Sequence, residues 1–178
     1  IGVYQHSSVA RDLMLEIVGA LGGEAVALGR SDVFVPVDTE ALRAEDLAFA
    51  RATVAEHRLI ALISTDGDAD RPMLFDEMGE FVRGDLLGIL TAKFLGADAV
   101  VTPVTSTSAI EQSGLFKTVV RTKVGSPFVI AGMEEAKREG GRIVVGFEAN
   151  GGVLLGSDVS VAGGTLTALP TRDAMLPM

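Results

Sequence analysis

Leu59-Ile60-Ala61-Leu62-Ile63-Ser64-Thr65-Asp66-Gly67-Asp68-Ala69-Asp70-Arg71-Pro72 is an apolar run of strand type that ends in three carboxylates at alternate positions. In an extended chain, side chains at i, i+2 and i+4 point to the same side, so Asp66, Asp68 and Asp70 are expected to converge just past the strand end. Three unpaired carboxylates at one point repel each other, and a hard divalent cation relieves that repulsion. An all-oxygen ligand set favours Mg2+ or Ca2+ over Zn2+. Gly67 lets the backbone bend, and the planar fork of Arg71 suits a phosphate held by the same cation. A solvated acidic turn is the plainer alternative. An EF-hand is excluded: with Asp66 as position 1, Arg71 falls where that loop needs glycine, and the entering segment is strand-like rather than helical.

Working outward, Ile1 to Tyr4 reads as strand and 9–21 as a helix with Leu13, Ile17, Val18 and Leu21 on one face, capped by Ser7 or Ser8 and ended by Gly22-Gly23. A short strand at 24–28 and a second helix at 40–56 precede the quoted strand. This alternation predicts a parallel βαβαβ unit, in which ligands gather at the carboxyl ends of strands, where the aspartates sit. His6 lies at the equivalent end of the first strand; it reads as a loop histidine bonded to the next helix and is given no role. Downstream, 73–75 and 80–82 flank Asp76-Glu77-Met78-Gly79 as a hairpin, and 85–95 form a helix closed by Gly96.

A second unit follows. Strands are expected at 99–103, 116–121 and 142–147, with a short helix at 109–113 and a longer one from Pro127 to about Glu139. The free amides at the start of that longer helix, with Arg121 and Lys123 nearby, suit an anion. The strand at 142–147 runs into Glu148-Ala149-Asn150-Gly151-Gly152. A carboxylate, an amide and two glycines suit sugar hydroxyls, although a hairpin turn fits the same residues.

Asp66-Gly67-Asp68-Ala69-Asp70-Arg71 after an apolar strand resembles the metal-binding loop of the alpha-D-phosphohexomutases, the phosphomannomutase/phosphoglucomutase superfamily. Gly146-Phe147-Glu148-Ala149-Asn150-Gly151-Gly152 resembles that family's sugar-binding loop, usually G-E-x-S-G; the glutamate matches at Glu148 and Asn150 replaces the serine. The resemblance implies two consecutive small α/β domains, each a mostly parallel mixed sheet with flanking helices. Residues 1–98 correspond to domain 2, its start missing, with the metal loop at 66–71. Residues 99–178 correspond to domain 3, its end missing, with the sugar loop at 146–152.

The same resemblance implies a Mg2+-dependent cytoplasmic enzyme that interconverts mannose or glucose 1-phosphate and 6-phosphate through a phosphoserine and a 1,6-bisphosphate. Asp66, Asp68 and Asp70 would hold the metal, and Arg71 would steady the phosphoryl group. Glu148, Asn150 and Gly151 would contact the sugar, and Lys123 would contact substrate and take part in catalysis beside Arg71. Histidine or basic side chains that some members carry near Thr105, Ser126 and Gly152 are absent, which leaves the general acid/base unassigned. No serine stands in the family's S-H-N-P context and no domain 4 phosphate loop follows. Domains 1 and 4 are therefore expected in a longer parent chain, and the 178 residues alone are expected to be inactive.

Composition narrows the alternatives. A formal net charge of −9 argues against nucleic acid as a partner, so a phosphorylated ligand must meet local positive charge. No apolar run approaches the roughly 18 residues a bilayer span needs, and no signal peptide is visible. The absence of cysteine removes disulfides and thiol chemistry. Two further readings stay open on sequence: a phosphatase of the haloacid dehalogenase type, which also places D-x-D after a strand, and a non-catalytic cation-binding module.

Overall fold

The computed structural model describes residues 1–178, which divide into two units, Ile1–Arg83 together with Met178, and Gly84–Pro177. The first contains β1 (Gly2–Tyr4), α1 (Arg11–Ala20), β2 (Val26–Leu28), α2 (Ala44–His57), β3 (Leu62–Thr65), β4 (Pro72–Phe75) and β5 (Phe81–Val82). Its sheet runs β2-β1-β3-β4-β5; β1 is parallel to β2 and β3, and β4 and β5 return antiparallel. Strand alternation places Leu62, Met73 and Phe75 against Ala50 and Val54 of α2. Val3 and Ile63 take the other face, and α1, which packs on β1 and β3, buries Met14 and Val18.

Helix α1 corrects the expected face. Leu13 and Leu21 are exposed, and the stripe centres on Met14 and Val18, a spacing of four residues. Ser8 accepts the Ala10 N–H at 3.2 Å but lies outside the helix, which has no side-chain cap. Helix α2 starts at Ala44 rather than near residue 40, because Arg43 is extended and its guanidinium grips Asp46 through two bonds of 2.8 and 2.7 Å. The Asp76 hairpin forms as expected: Asp76 Oδ1 accepts from Met78 and Glu80, both at 2.9 Å, and Gly79 takes a left-handed φ of 75°.

The second unit contains α3 (Gly84–Phe94), β6 (Ala99–Pro103), α4 (Ala109–Gln112), β7 (Thr118–Thr122), α5 (Ser126–Arg138), β8 (Val144–Phe147), β9 (Val153–Leu155), β10 (Val159–Val161), β11 (Gly164–Leu166) and β12 (Leu169–Asp173). The sheet order is β12-β9-β8-β6-β7, with β6 parallel to β7 and β8 and the other pairings antiparallel; β10 and β11 form a separate hairpin. Both units are thus mixed α/β sheets with flanking helices. The period of two sorts the core into layers. Ala99, Val101, Val144 and Leu154 meet Val129, Met133 and Ala136 of α5. Val100, Val145, Phe147, Val153 and Leu155 meet Ile89, Ala92 and Leu95 on the opposite side.

Helix α3 therefore belongs to the second unit, and the division falls at Arg83/Gly84 instead of near residue 98. The cause is packing: without a side chain at Gly88 the helix lies directly on the Phe147 ring, which any Cβ there would strike. Burying Ile89 and Leu95 in this core contributes roughly 3–6 kcal/mol at 1.5–3 kcal/mol each, comparable with a whole domain's net stability. A polypeptide of residues 84–177 should accordingly unfold in one cooperative calorimetric transition. Residues 99–177 alone should show no such transition and should bind a hydrophobic dye; cooperative unfolding of the shorter piece would return α3 to the first unit.

Candidate functional site

The aspartates occupy the connection between β3 and β4, whose ends pair at Thr65 and Pro72. Convergence is achieved by a curled hairpin loop and not by the extended chain that alternate spacing suggests. Asp66 N–H donates to the Arg71 carbonyl at 3.1 Å, and Arg71 N–H returns to Asp66 Oδ1 at 3.2 Å. Ala69 is left-handed at φ 64°, which reverses the chain between the second and third carboxylates. One oxygen from each of Asp66, Asp68 and Asp70 lies within 4.8 Å of the others; Asp66 is buried, Asp68 exposed and Asp70 between.

Mg2+ binds oxygens at about 2.0–2.1 Å and Ca2+ at about 2.3–2.6 Å, so their ligand oxygens lie within about 4–5 Å of one another. The three carboxylates fit such a cation with small side-chain rotations. Burial pushes the Asp66 carboxyl above its ordinary range; the Arg71 N–H bond opposes this, and the charges of Asp68 and Asp70 add to it. Arg71 leans over the same cluster, its Nε 3.7 Å from Asp66 and 3.8 Å from Asp70. That Nε is shielded from solvent and has no hydrogen-bond acceptor, so it acts on the cluster as a nearby positive charge.

Beneath the loop lies a buried network that the sequence reading missed. His6 is fully buried, and its Nε2 donates to the Thr65 carbonyl at 2.7 Å. Burial lowers its pKa and so favours the neutral ring, while Nδ1 has no partner. Ser8 and Thr65 share a 2.6 Å hydroxyl bond, Thr65 Oγ1 donates to the Asp66 carbonyl at 2.9 Å, and Val9 N–H reaches the Gly67 carbonyl at 3.1 Å. His6 thus bonds across to the end of β3 and not to the next helix. The available signal was Ser64-Thr65, two hydroxyls inside an otherwise apolar strand.

In the second unit, residues 148–152 form the turn between β8 and β9. Glu148 N–H bonds the Gly152 carbonyl at 3.1 Å, Gly151 N–H bonds the Glu148 carbonyl at 3.0 Å, and Asn150 Oδ1 accepts from Gly152 N–H at 3.0 Å. Gly151 is left-handed at φ 92°. The start of α3 is pressed against this turn, since a Cβ on Gly84 would run into the backbone of Ala149, Asn150 and Gly151. Glu148 is 5% exposed, and its Oε2 accepts from the Ser126 hydroxyl at 3.1 Å. Ser126 is therefore the first residue of α5 and a Glu148 partner; the residue before the helix is Gly125.

Arg121 and Lys123 divide in role. Arg121 is tied to Glu111 by two bonds of 2.7 and 2.8 Å and to the carbonyls of Pro103, Ser106 and Thr107, so it braces the loop after β6 and is not an anion ligand. Lys123 is exposed, with Nζ 5.7 Å from the Phe128 ring centroid. It remains available to a ligand near the start of α5.

Residues 83–177, just over half of the chain, match a known family, phosphoglucomutase/phosphomannomutase, alpha/beta/alpha domain III. The chain belongs to the phosphoglucomutase/phosphomannomutase family. Its matched region begins where the second unit does. A phosphomannomutase of Sinorhizobium fredii is 53% identical over 178 residues, which is 100% of this chain and 37% of that protein. A phosphomannomutase of Salmonella muenchen is 50% identical over 177 residues, covering 99% of this chain and 37% of the relative. The chain thus spans little more than a third of the length of these relatives. In fold it is similar to a phosphoglucomutase/phosphomannomutase family protein of Burkholderia thailandensis, with TM-score 0.72, 19% identity and coverage of 99% of this chain and 37% of the other. No helix is long and apolar enough to cross a membrane.

The raised Asp66 value sets a sign. Without a cation, folding disfavours the charged form, so the associated stability is full below the ordinary carboxylate pKa of about 4 and is lost as pH rises through the raised value. Asp66→Asn should therefore melt above the parent at neutral pH without metal, the gap closing toward about pH 4. Millimolar Mg2+ or Ca2+ should raise the melting temperature of the parent and leave Asp66→Asn and Asp68→Asn nearly unmoved. Equal metal-induced shifts in all three would remove the aspartate loop as the cation site.

Proposed function

We propose that the chain supplies the cation-holding and sugar-reading parts of a Mg2+-dependent phosphohexomutase that interconverts hexose 1-phosphate and hexose 6-phosphate through a phosphoserine and a 1,6-bisphosphate. The observation that carries this reading is the convergence of Asp66, Asp68 and Asp70 within 4.8 Å with Arg71 alongside. Family membership and the separate Glu148-Ala149-Asn150 turn support it. Mannose phosphate is the first substrate to test, because both relatives described above are named phosphomannomutases. The phosphoserine and phosphate-gripping domains would be supplied by the rest of a longer protein, acting in the cytoplasm.

Phosphoryl transfer depends on positioning and on stabilising charge around the moving group. Bound Mg2+ would neutralise phosphoryl oxygens at the aspartate loop. Arg71 would donate to the same group from a fixed loop position, and Glu148 would accept from sugar hydroxyls while Asn150 braces the turn. Lys123 would meet the substrate from the start of α5. Relatives aligned across the aspartate loop are named phosphomannomutases, which favours the mutase reading over the haloacid dehalogenase one.

A coupled mutase assay tests this on the full-length protein carrying the chain, with Mg2+, a trace of hexose 1,6-bisphosphate, and mannose 1-phosphate or glucose 1-phosphate in turn. Turnover of at least one sugar is expected, with a loss of about 100-fold or more in Asp68→Asn and none by the 178 residues alone. Full activity in Asp68→Asn would favour a cation-binding module without a catalytic role.

A further inference from the structure

We propose that Arg172 is a positioning residue for the sugar loop, holding the Glu148 carboxylate in the orientation that reads a hexose phosphate; this rests on the mutase reading above. Arg172 lies on β12, far along the chain from Glu148, and the sheet brings the two together. β12 runs antiparallel to β9, with Asp173 opposite Val153, so Arg172 lies beside the start of β9 and its side chain reaches back to Gly152. Its Nη1 is 3.6 Å from Glu148 Oε2.

Gly152 makes this approach possible. A Cβ built there would lie 2.9 Å from Arg172 Cδ and 3.0 Å from Cγ, so the arginine stem occupies the space a side chain would fill. Gly152 is not among the glycines at positive φ. The backbone would accept alanine, and it is the crossing arginine that requires a bare position.

The two side-chain partners of Glu148 come from different elements, Ser126 from α5 and Arg172 from β12, and both address Oε2. Both contacts fall on Oε2 and fix that edge of the carboxylate, so Oε1 is the oxygen this proposal assigns to a ligand hydroxyl. A buried carboxylate without a cationic partner is costly. If Arg172 is removed, the group turns toward its remaining donor or draws in water, and its alignment with the sugar is lost. The charge acts through Glu148, so the loss falls on substrate binding more than on the chemical step.

The test measures kcat and KM for the preferred hexose 1-phosphate in the full-length protein, for Arg172→Met, Arg172→Lys, Gly152→Ala and the double variant Arg172→Met/Gly152→Ala. Methionine keeps much of the stem without the charge. Arg172→Met should raise KM about tenfold through loss of the ion pair, with kcat within about twofold. Lysine should restore KM to within about threefold of the parent. Gly152→Ala, which retains the arginine but displaces its stem, should reproduce the Arg172→Met defect, and the double variant should be no worse than either single one. An unchanged KM in both single variants overturns the proposal. So does an Arg172→Lys defect equal to that of methionine, which would mark a packing role. If the parent turns over no hexose phosphate, the mutase reading fails first and this inference falls with it.

Discussion

Closure of the loop between Thr65 and Pro72 is the constraint from which the candidate chemistry follows. Asp66 and Arg71 bind each other twice, through the Asp66 N–H to the Arg71 carbonyl and the Arg71 N–H to the Asp66 carboxylate. Those bonds close the loop on itself, so three like charges are brought together while the backbone stays satisfied. Burial raises the Asp66 pKa, and the charges of Asp68 and Asp70 add to it. Val9, Ser8 and His6 tie the same loop to the end of β1. A parallel strand pair thus holds the loop at the carboxyl end of the sheet, the place where α/β sheets present ligands.

The second unit solves a different problem, pressing helices close enough to a sheet to hold a small turn rigid. Gly84 and Gly88 let α3 lie on the turn and on Phe147, and Gly146 accepts Val129 and Met133 from α5 on the other side. The chain that carries Glu148 is therefore clamped between two helices. Close packing of this kind allows few small adjustments, so Glu148 and its partners are held in one arrangement. The buried carboxylate is then set by Ser126 and Arg172, which reach it from elements distant in sequence.

Much of this was legible in the residues. The strand-helix alternation gave two mixed α/β units, the three aspartates marked the acidic loop where carboxylates meet, and Glu148 with Asn150 marked the second turn. The misreadings came from packing. Leu13 and Leu21 looked like core because helical periodicity alone does not say which stripe faces the sheet. Arg121 looked like an anion ligand because basic character is visible in sequence, whereas its engagement with Glu111 and three carbonyls is not.

By itself, the sequence determined the order of elements, the alternate carboxylates and the position of the acidic turn, all local properties of spacing and residue chemistry. Only the tertiary structure decided that the aspartates meet through a left-handed residue at Ala69, that α3 belongs to the second unit, that His6 supports the loop from below, and that Arg172 reaches Glu148 across Gly152. The last three of these depend on contacts between residues far apart in the chain. Their free energy comes from burial and charge pairing, which exist only after the sheet has brought the segments together.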